Sequence, residues 1–87
     1  MDVAVWDTYV SRGKDKIMHF DIIVPIEVNE KDIIRGFGQR YLESKQIESQ
    51  NVKIIKCQFC HIEEVQEEWE QEIYKNGYYI LEMENCD

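Results

Sequence analysis

In the first third of the chain, two apolar-rich segments sort their side chains to opposite faces with the period of two of a strand. Val3 to Val10 is rich in β-branched and aromatic residues and reads as a strand. Ser11-Arg12-Gly13-Lys14-Asp15 is polar and carries a glycine, which predicts a turn. Lys16 to Val24 is a second strand, stopped by Pro25, which has no N–H to give to a ladder. A turn so short makes the two strands antiparallel neighbours, a hairpin. The period then lengthens. Asn29 is placed as a helix N-cap, with Glu30 and Asp32 in the first turn, where acids meet the positive end of the dipole. Ile33, Ile34, Phe37, Tyr41 and Leu42 follow at helical spacing, and the helix is expected to end between Gln46 and Ser49. Gly36 and Gly38 each weaken such a helix by about 1 kcal/mol relative to alanine. Close approach of the helix to the sheet is the expected compensation.

Val52 to Lys56 is a short third strand. A second helix is predicted to start near Cys60 to Ile62 and to carry Ile62, Val65, Trp69 and Ile73 along one stripe. Its acids, Glu63, Glu64, Glu67, Glu68, Glu70 and Glu72, fall largely off that stripe and read as a solvated face. Asn76-Gly77 ends it, the glycine suiting a left-handed position past the last turn. Tyr78 to Met83 is the fourth strand. The order ββαβαβ predicts a single α+β domain over residues 1–87, a four-stranded mixed sheet with two helices packed on one face. That face bears Met18, Phe20, Ile22 and Val24, joined by Ala4 and Trp6.

The alternate positions of the hairpin carry the first candidate chemistry. Ile17, His19, Asp21 and Ile23 share the other face of the second strand. A turn centred near Gly13 or Lys14, with no bulge, brings Asp7 to the same face with Val3, Val5 and Tyr9. His19 is then flanked by Asp7 and Asp21. A carboxylate beside an imidazole stabilises its protonated form and orients the ring, as acid–base chemistry or metal ligation requires. The plainer reading is a cross-strand polar pair, or one buried at a subunit interface. Val3, Val5, Tyr9, Ile17 and Ile23 make this face too apolar for water, which predicts a homo-oligomer, most simply a two-fold dimer.

The second candidate is Cys57-Gln58-Phe59-Cys60-His61, which fits three patterns. C-x-x-C-H is the haem-attachment motif. C-x-x-C between a strand and a helix start is a dithiol redox arrangement, in which the helix dipole favours the thiolate. Cys57, Cys60, His61 and Cys86 together would supply four zinc ligands, although adjacent Cys60 and His61 fit one tetrahedral ion awkwardly. The alternative to all three is that the cysteines are small core residues, among the most buried of residue types.

Charge and composition narrow the partners. The 87 residues include 18 acidic and 10 basic side chains, a net charge of −8. Nucleic-acid and anionic-membrane binding draw on clustered Lys and Arg, and here these are scattered, so neither is expected as a partner. No apolar run approaches the ~20 residues of a membrane span. Met1 to Trp6 has no basic segment ahead of its apolar residues, and the cysteines number an odd 3. Both features point to a cytoplasmic protein with reduced thiols. No cofactor or small-molecule ligand is named by the composition.

Four segments in order carry a resemblance. Val5-Trp6-Asp7-Thr8-Tyr9-Val10, Met18-His19-Phe20-Asp21-Ile22, Cys57 to Glu63, and Gly77-Tyr78-Tyr79-Ile80 through Glu82-Met83-Glu84 with Cys86 resemble domain-of-unknown-function family twenty-twenty-four, a group of small bacterial proteins. The resemblance covers the whole chain. It implies a compact α+β fold with two helices and assigns no activity, cofactor or site residue.

Overall fold

In the computed structural model, which describes residues 1–13, 16–46 and 52–86, the hairpin forms the centre of the sheet. Strands β1 (Asp2–Arg12) and β2 (Ile17–Pro25) pair antiparallel with Val3 opposite Pro25 and Ser11 opposite Ile17. Gly13 takes a φ of +86° at the turn, and the Arg12 N–H donates to the Lys16 carbonyl at 2.9 Å. Lys14 and Asp15 of the expected turn lie outside the described residues. Helix α1 (Lys31–Ser44) follows, then β3 (Val52–Glu64), helix α2 (Glu67–Asn76) and β4 (Tyr79–Glu84). The sheet order is β3-β1-β2-β4. The ββαβαβ order is as expected, but every pairing is antiparallel, so the sheet is not mixed.

The helices do not share a face. α1 covers Ala4, Trp6, Val10, Met18, Phe20, Ile22 and Val24, burying Ile34, Tyr41 and Leu42 against them. α2 lies on the opposite side, where Trp69 and Ile73 pack on Val3, Val5 and Ile23. The topology explains the difference. From β2 the chain must reach β3 beyond β1, and from β3 it must reach β4 at the far edge. Both connections cross the sheet. The first occupies one face with α1, and the second uses the other. The apolar face expected to mediate self-association is therefore covered, at Val3, Val5 and Ile23, by the chain's own second helix.

Smaller corrections follow from packing. α1 takes Glu30 as its N-cap, one residue past Asn29, with no side-chain capping bond. It ends at Ser44; Ile47 to Ser49, part of the expected end, lie outside the described residues. A Cβ on Gly38 would meet Ile22 Cδ1 at 3.2 Å, the expected close approach, whereas around Gly36 there is open space.

The largest departure is β3. It extends eight residues beyond Lys56, through the segment expected to open the second helix. β1 presents a row of backbone donors and acceptors from Asp2 to Arg12, and β3 pairs along all of it, to Asp2 opposite Glu64. Two bulges interrupt the register, between Val5 and Trp6 and between Tyr9 and Val10 of β1, leaving Cys60 and Ile55 as extra residues. Each bulge resets the alternation, and the spacing of Ile62, Val65, Trp69 and Ile73 then imitates a helix. Ile62 is exposed on the strand, while Trp69 and Ile73 are the true buried stripe of α2. Gly77 caps α2 with φ +91° and donates its N–H to Ile73 O at 2.8 Å. No described helix is long and apolar enough to cross a membrane.

Candidate metal centre

α2 covers only one end of its sheet face. Toward the hairpin turn, the same face continues as Asp7 and Tyr9 of β1, and His19 and Asp21 of β2. Asp7 stands directly opposite Asp21 and Tyr9 opposite His19. The Tyr9 and His19 rings stack with centroids 4.3 Å apart and planes 8° from parallel, and the Lys56 ammonium lies 5.8 Å over the Tyr9 ring. This stack fixes the imidazole, so that Nε2 lies 3.5 Å from Asp7 Oδ1 and 3.6 Å from Asp21 Oδ1. One donor atom from each of the three residues falls within 4.8 Å of the others. Among the described residues, this is the one group of three or more His, Cys, Asp or Glu side chains that converges so.

Two of these atoms make no hydrogen bond. His19 Nε2 and Asp21 Oδ1 are buried without a hydrogen bond. A buried polar atom left in that state costs about 1–3 kcal/mol. Two carboxylates directly opposite across a strand pair also repel. The strain shows in Asp21, whose carboxyl is pushed up from 3.8 to about 6. Burial is the main cause, followed by a hydrogen bond to Asp7 and the Asp7 charge, with His19 and His61 pulling the other way.

The cysteine run is divided between the sheet's surroundings. Cys57 sits in the core under α1, where the Thr8 hydroxyl approaches its Sγ at 3.7 Å. Cys86 belongs to the same core and directs its thiol to the carbonyls of His19 and Glu84, each at 3.3 Å. Cys60 and His61 are exposed, with His61 Nδ1 3.2 Å from Cys60 Sγ and Nε2 2.7 Å from Glu63 Oε2. The four residues expected as a zinc set are thus not gathered at one point. Nor does the pair Cys57 and Cys60 sit at a helix N-terminus, since both lie within β3. The Cys60 thiol is pushed up rather than down, by local desolvation, the Asp7 charge and hydrogen bond, and the Asp21 charge. That is the reverse of an activated redox thiolate, and it removes the dipole argument for dithiol chemistry.

A model of a domain of unknown function, DUF2024, matches residues 1–83. The chain belongs to the DUF2024 family. It is also similar, at 34% identity over 100% of both chains and a TM-score of 0.82, to protein NE1680 from Nitrosomonas europaea, a structural-genomics target solved by NMR. No curated protein matches. These relationships confirm the family and its fold, and the DUF2024 description carries no activity to test the cluster against.

One feature of this DUF2024 chain escapes a reading of its sequence. The segment Cys57 to His61 continues β3 with Cys60 as the extra residue of a bulge, between Phe59 opposite Trp6 and His61 opposite Val5. The signal available was the break in alternation across Cys57 to His61, which a helix start and a bulge produce equally. A separate cleft of about 410 Å³ at the free edge of β4, between Tyr41 of α1 and Glu68 and Glu72 of α2, shares no residue with the cluster. Glu82 lies outside its lining; the Tyr41 hydroxyl donates to Glu82, and Lys45 pairs with it at 2.6 Å.

Proposed function

We propose that this chain is a divalent-metal-binding protein whose ligands are Asp7, His19 and Asp21. The observation that carries the reading is the pair of buried atoms without a hydrogen bond, His19 Nε2 and Asp21 Oδ1, facing each other and Asp7 Oδ1. A divalent cation would satisfy both atoms and cancel the repulsion between the opposed carboxylates in one step. One imidazole and two carboxylates suit first-row divalent ions and leave coordination positions open for water or a further ligand. The stack with Tyr9 orients His19 without using its Nε2.

A non-enzymatic role, with the ion stabilising the fold or being carried, agrees with this site as well as a catalytic one does. The three cysteines are all free, which supports the reducing conditions of a cytoplasm.

The test is calorimetric titration of metal-depleted, untagged protein with Zn²⁺ and Mn²⁺, followed by thermal unfolding. One ion per chain and a raised Tm are expected for the wild type. His19→Ala should abolish both, with folding of the variant checked by circular dichroism. Absence of binding heat and of any Tm shift with either ion would overturn the reading.

A further inference from the structure

The sheet ends in two edges of different character. β3 and β4 are its outer strands, and among the described residues neither has a strand on its far side. β4 is short, 6 residues from Tyr79 to Glu84, and its charged residues, Glu82 and Glu84, are both acidic. β3 has 13 residues, so its outer side offers a long row of backbone donors and acceptors. Its side chains are sorted by the β1 register. Lys53, Lys56 and Glu63 stand opposite Ser11, Tyr9 and Val3, and so share the α2 side of the sheet. Phe59 and Ile62 stand opposite Trp6 and Ala4 on the α1 side, yet are 49% and 57% exposed. Lysines on an edge strand ordinarily guard it against pairing. Here they occupy one end only, and the other end carries Glu63 and Glu64.

We infer that this edge pairs with a second copy of the chain, β3 against β3, antiparallel about a two-fold axis at Gln58. Charge selects the direction. A parallel pairing sets lysine beside lysine and glutamate beside glutamate, which repel. The antiparallel one sets the basic end of each strand against the acidic end of the other. Length selects the register. Gln58 is the midpoint of Val52–Glu64, so pairing along the whole strand puts Gln58 opposite its own counterpart and Lys53 of each copy opposite Glu63 of the other. Each half of β3 contains one bulge, at Ile55 and at Cys60, so residues counted outward from Gln58 stay matched in number. Two-fold symmetry makes the two Lys53–Glu63 contacts equivalent and closes the assembly at two copies. The two four-stranded sheets become continuous, the long edge is removed, and the exposed Phe59, next to the axis, gains the cover of the second β3. β4, with acids alone, offers no such complement to itself.

Analytical ultracentrifugation of the untagged full chain is the first measurement, with EDTA present so that no bridging ion takes part. A species of twice the 10.5 kDa chain mass is expected at micromolar concentration. Lys53→Glu sets like charges together at both ends of the paired strands and should weaken the dimer at least about tenfold. The double variant Lys53→Glu with Glu63→Lys should restore it. Lys53 is exposed on the edge strand, and circular dichroism checks that each variant folds. Amide exchange of the wild type gives a reading that needs no variant. Dilution below the dissociation constant should speed exchange across Val52–Glu64 and leave Tyr79–Glu84 unchanged. A dimer that survives Lys53→Glu undiminished, or whose dissociation leaves exchange in β3 as it was, is held by another surface, and the pairing is then wrong. A folded double variant that stays as weak as the single one overturns the antiparallel register. A wild-type chain that sediments as a monomer throughout the micromolar range overturns the pairing outright.

Discussion

Under α1, the sheet face of Ala4, Trp6, Val10, Phe20 and Ile22 is apolar except for Thr8, whose buried hydroxyl is bonded to the Trp6 carbonyl. Under α2, the opposite face is apolar at Val3, Val5 and Ile23 and turns polar at Asp7, His19 and Asp21. Length accounts for much of this. α1 has 14 residues and α2 has 10, so they reach about 21 and 15 Å at 1.5 Å per residue. β1, with 11 residues, extends over about 36 Å. A helix as short as α2 leaves most of its face unroofed. Side chains there gain little from being apolar, and the uncovered part carries the polar cluster, floored by a rigid central hairpin. One face of the same two strands is thus committed to stability, and the other is divided between stability and chemistry.

The sharpest way to break this comparison is to empty each face in turn. Phe20 is fully buried and meets Tyr41 of α1 at 4.7 Å between ring centroids. Phe20→Ala should cost about 3–5 kcal/mol, enough to unfold much of so small a domain near room temperature. Trp69→Ala should cost somewhat less, about 3 kcal/mol, since the cluster it anchors is smaller, and it should expose Val3, Val5 and Ile23 to a hydrophobic dye. Urea denaturation of both variants measures the difference. Equal losses would mean that the second face contributes as much stability as the first.

These two residues also mark what the chain disclosed in advance. Phe20 was legible as core because Met18, Phe20, Ile22 and Val24 put four apolar side chains on one face while the other carries His19 and Asp21, and a turn centred near Gly13 or Lys14 puts Asp7 on that second face. Trp69 was legible as a buried helical residue, but not the face it buries. Alternation does not number the strands across a sheet, and Val3, Val5 and Ile23 look alike whether a partner subunit or a home helix covers them. The cysteine run hides its strand for a related reason. Along β3 most side chains are exposed, and two bulges shift the phase, so neither period two nor burial marks it as a strand. Asp7, His19 and Asp21 were legible as a group, whereas the place of Cys60 in a bulge of β3 depended on a backbone irregularity that composition does not encode.

An effect of similar or smaller size should appear on the polar half-face through pH. The Asp21 carboxyl is raised from 3.8 to about 6 in the folded chain. A raised folded value means that the native state holds the proton more tightly than the unfolded state does. The corresponding stability is fully present below pH 3.8 and is lost as pH climbs through about 6. The full span is on the order of 2–3 kcal/mol. The other acids titrate too, so the clean quantity is the difference between metal-free wild type and Asp21→Asn. Asparagine cannot ionise and can donate to Asp7. The variant should be the more stable of the two above pH 7, and its advantage should shrink as pH falls toward 4. A constant difference across that range would show that Asp21 ionises without penalty and that the half-face is not strained.

The smallest expected effect compares two positions on α1 that sequence treats alike. Gly36 and Gly38 are both helical, and alanine is favoured over glycine in a helix by about 1 kcal/mol. At Gly36 an added methyl meets open space, so Gly36→Ala should raise stability by about 0.5–1 kcal/mol. At Gly38 the methyl meets Ile22 Cδ1 at 3.2 Å and Ile54 Cδ1 at 3.6 Å. Crowding there opposes the helical gain, so Gly38→Ala should be neutral or destabilising, depending on whether the end of Ile22 yields. Ile22 is fully buried beneath α1, which leaves it little room to do so. Thermal unfolding of the two single variants reads the contrast directly. Equal stabilisation by both would mean that α1 does not press on the sheet at Gly38, and that the closed face is packed less tightly than its burial implies.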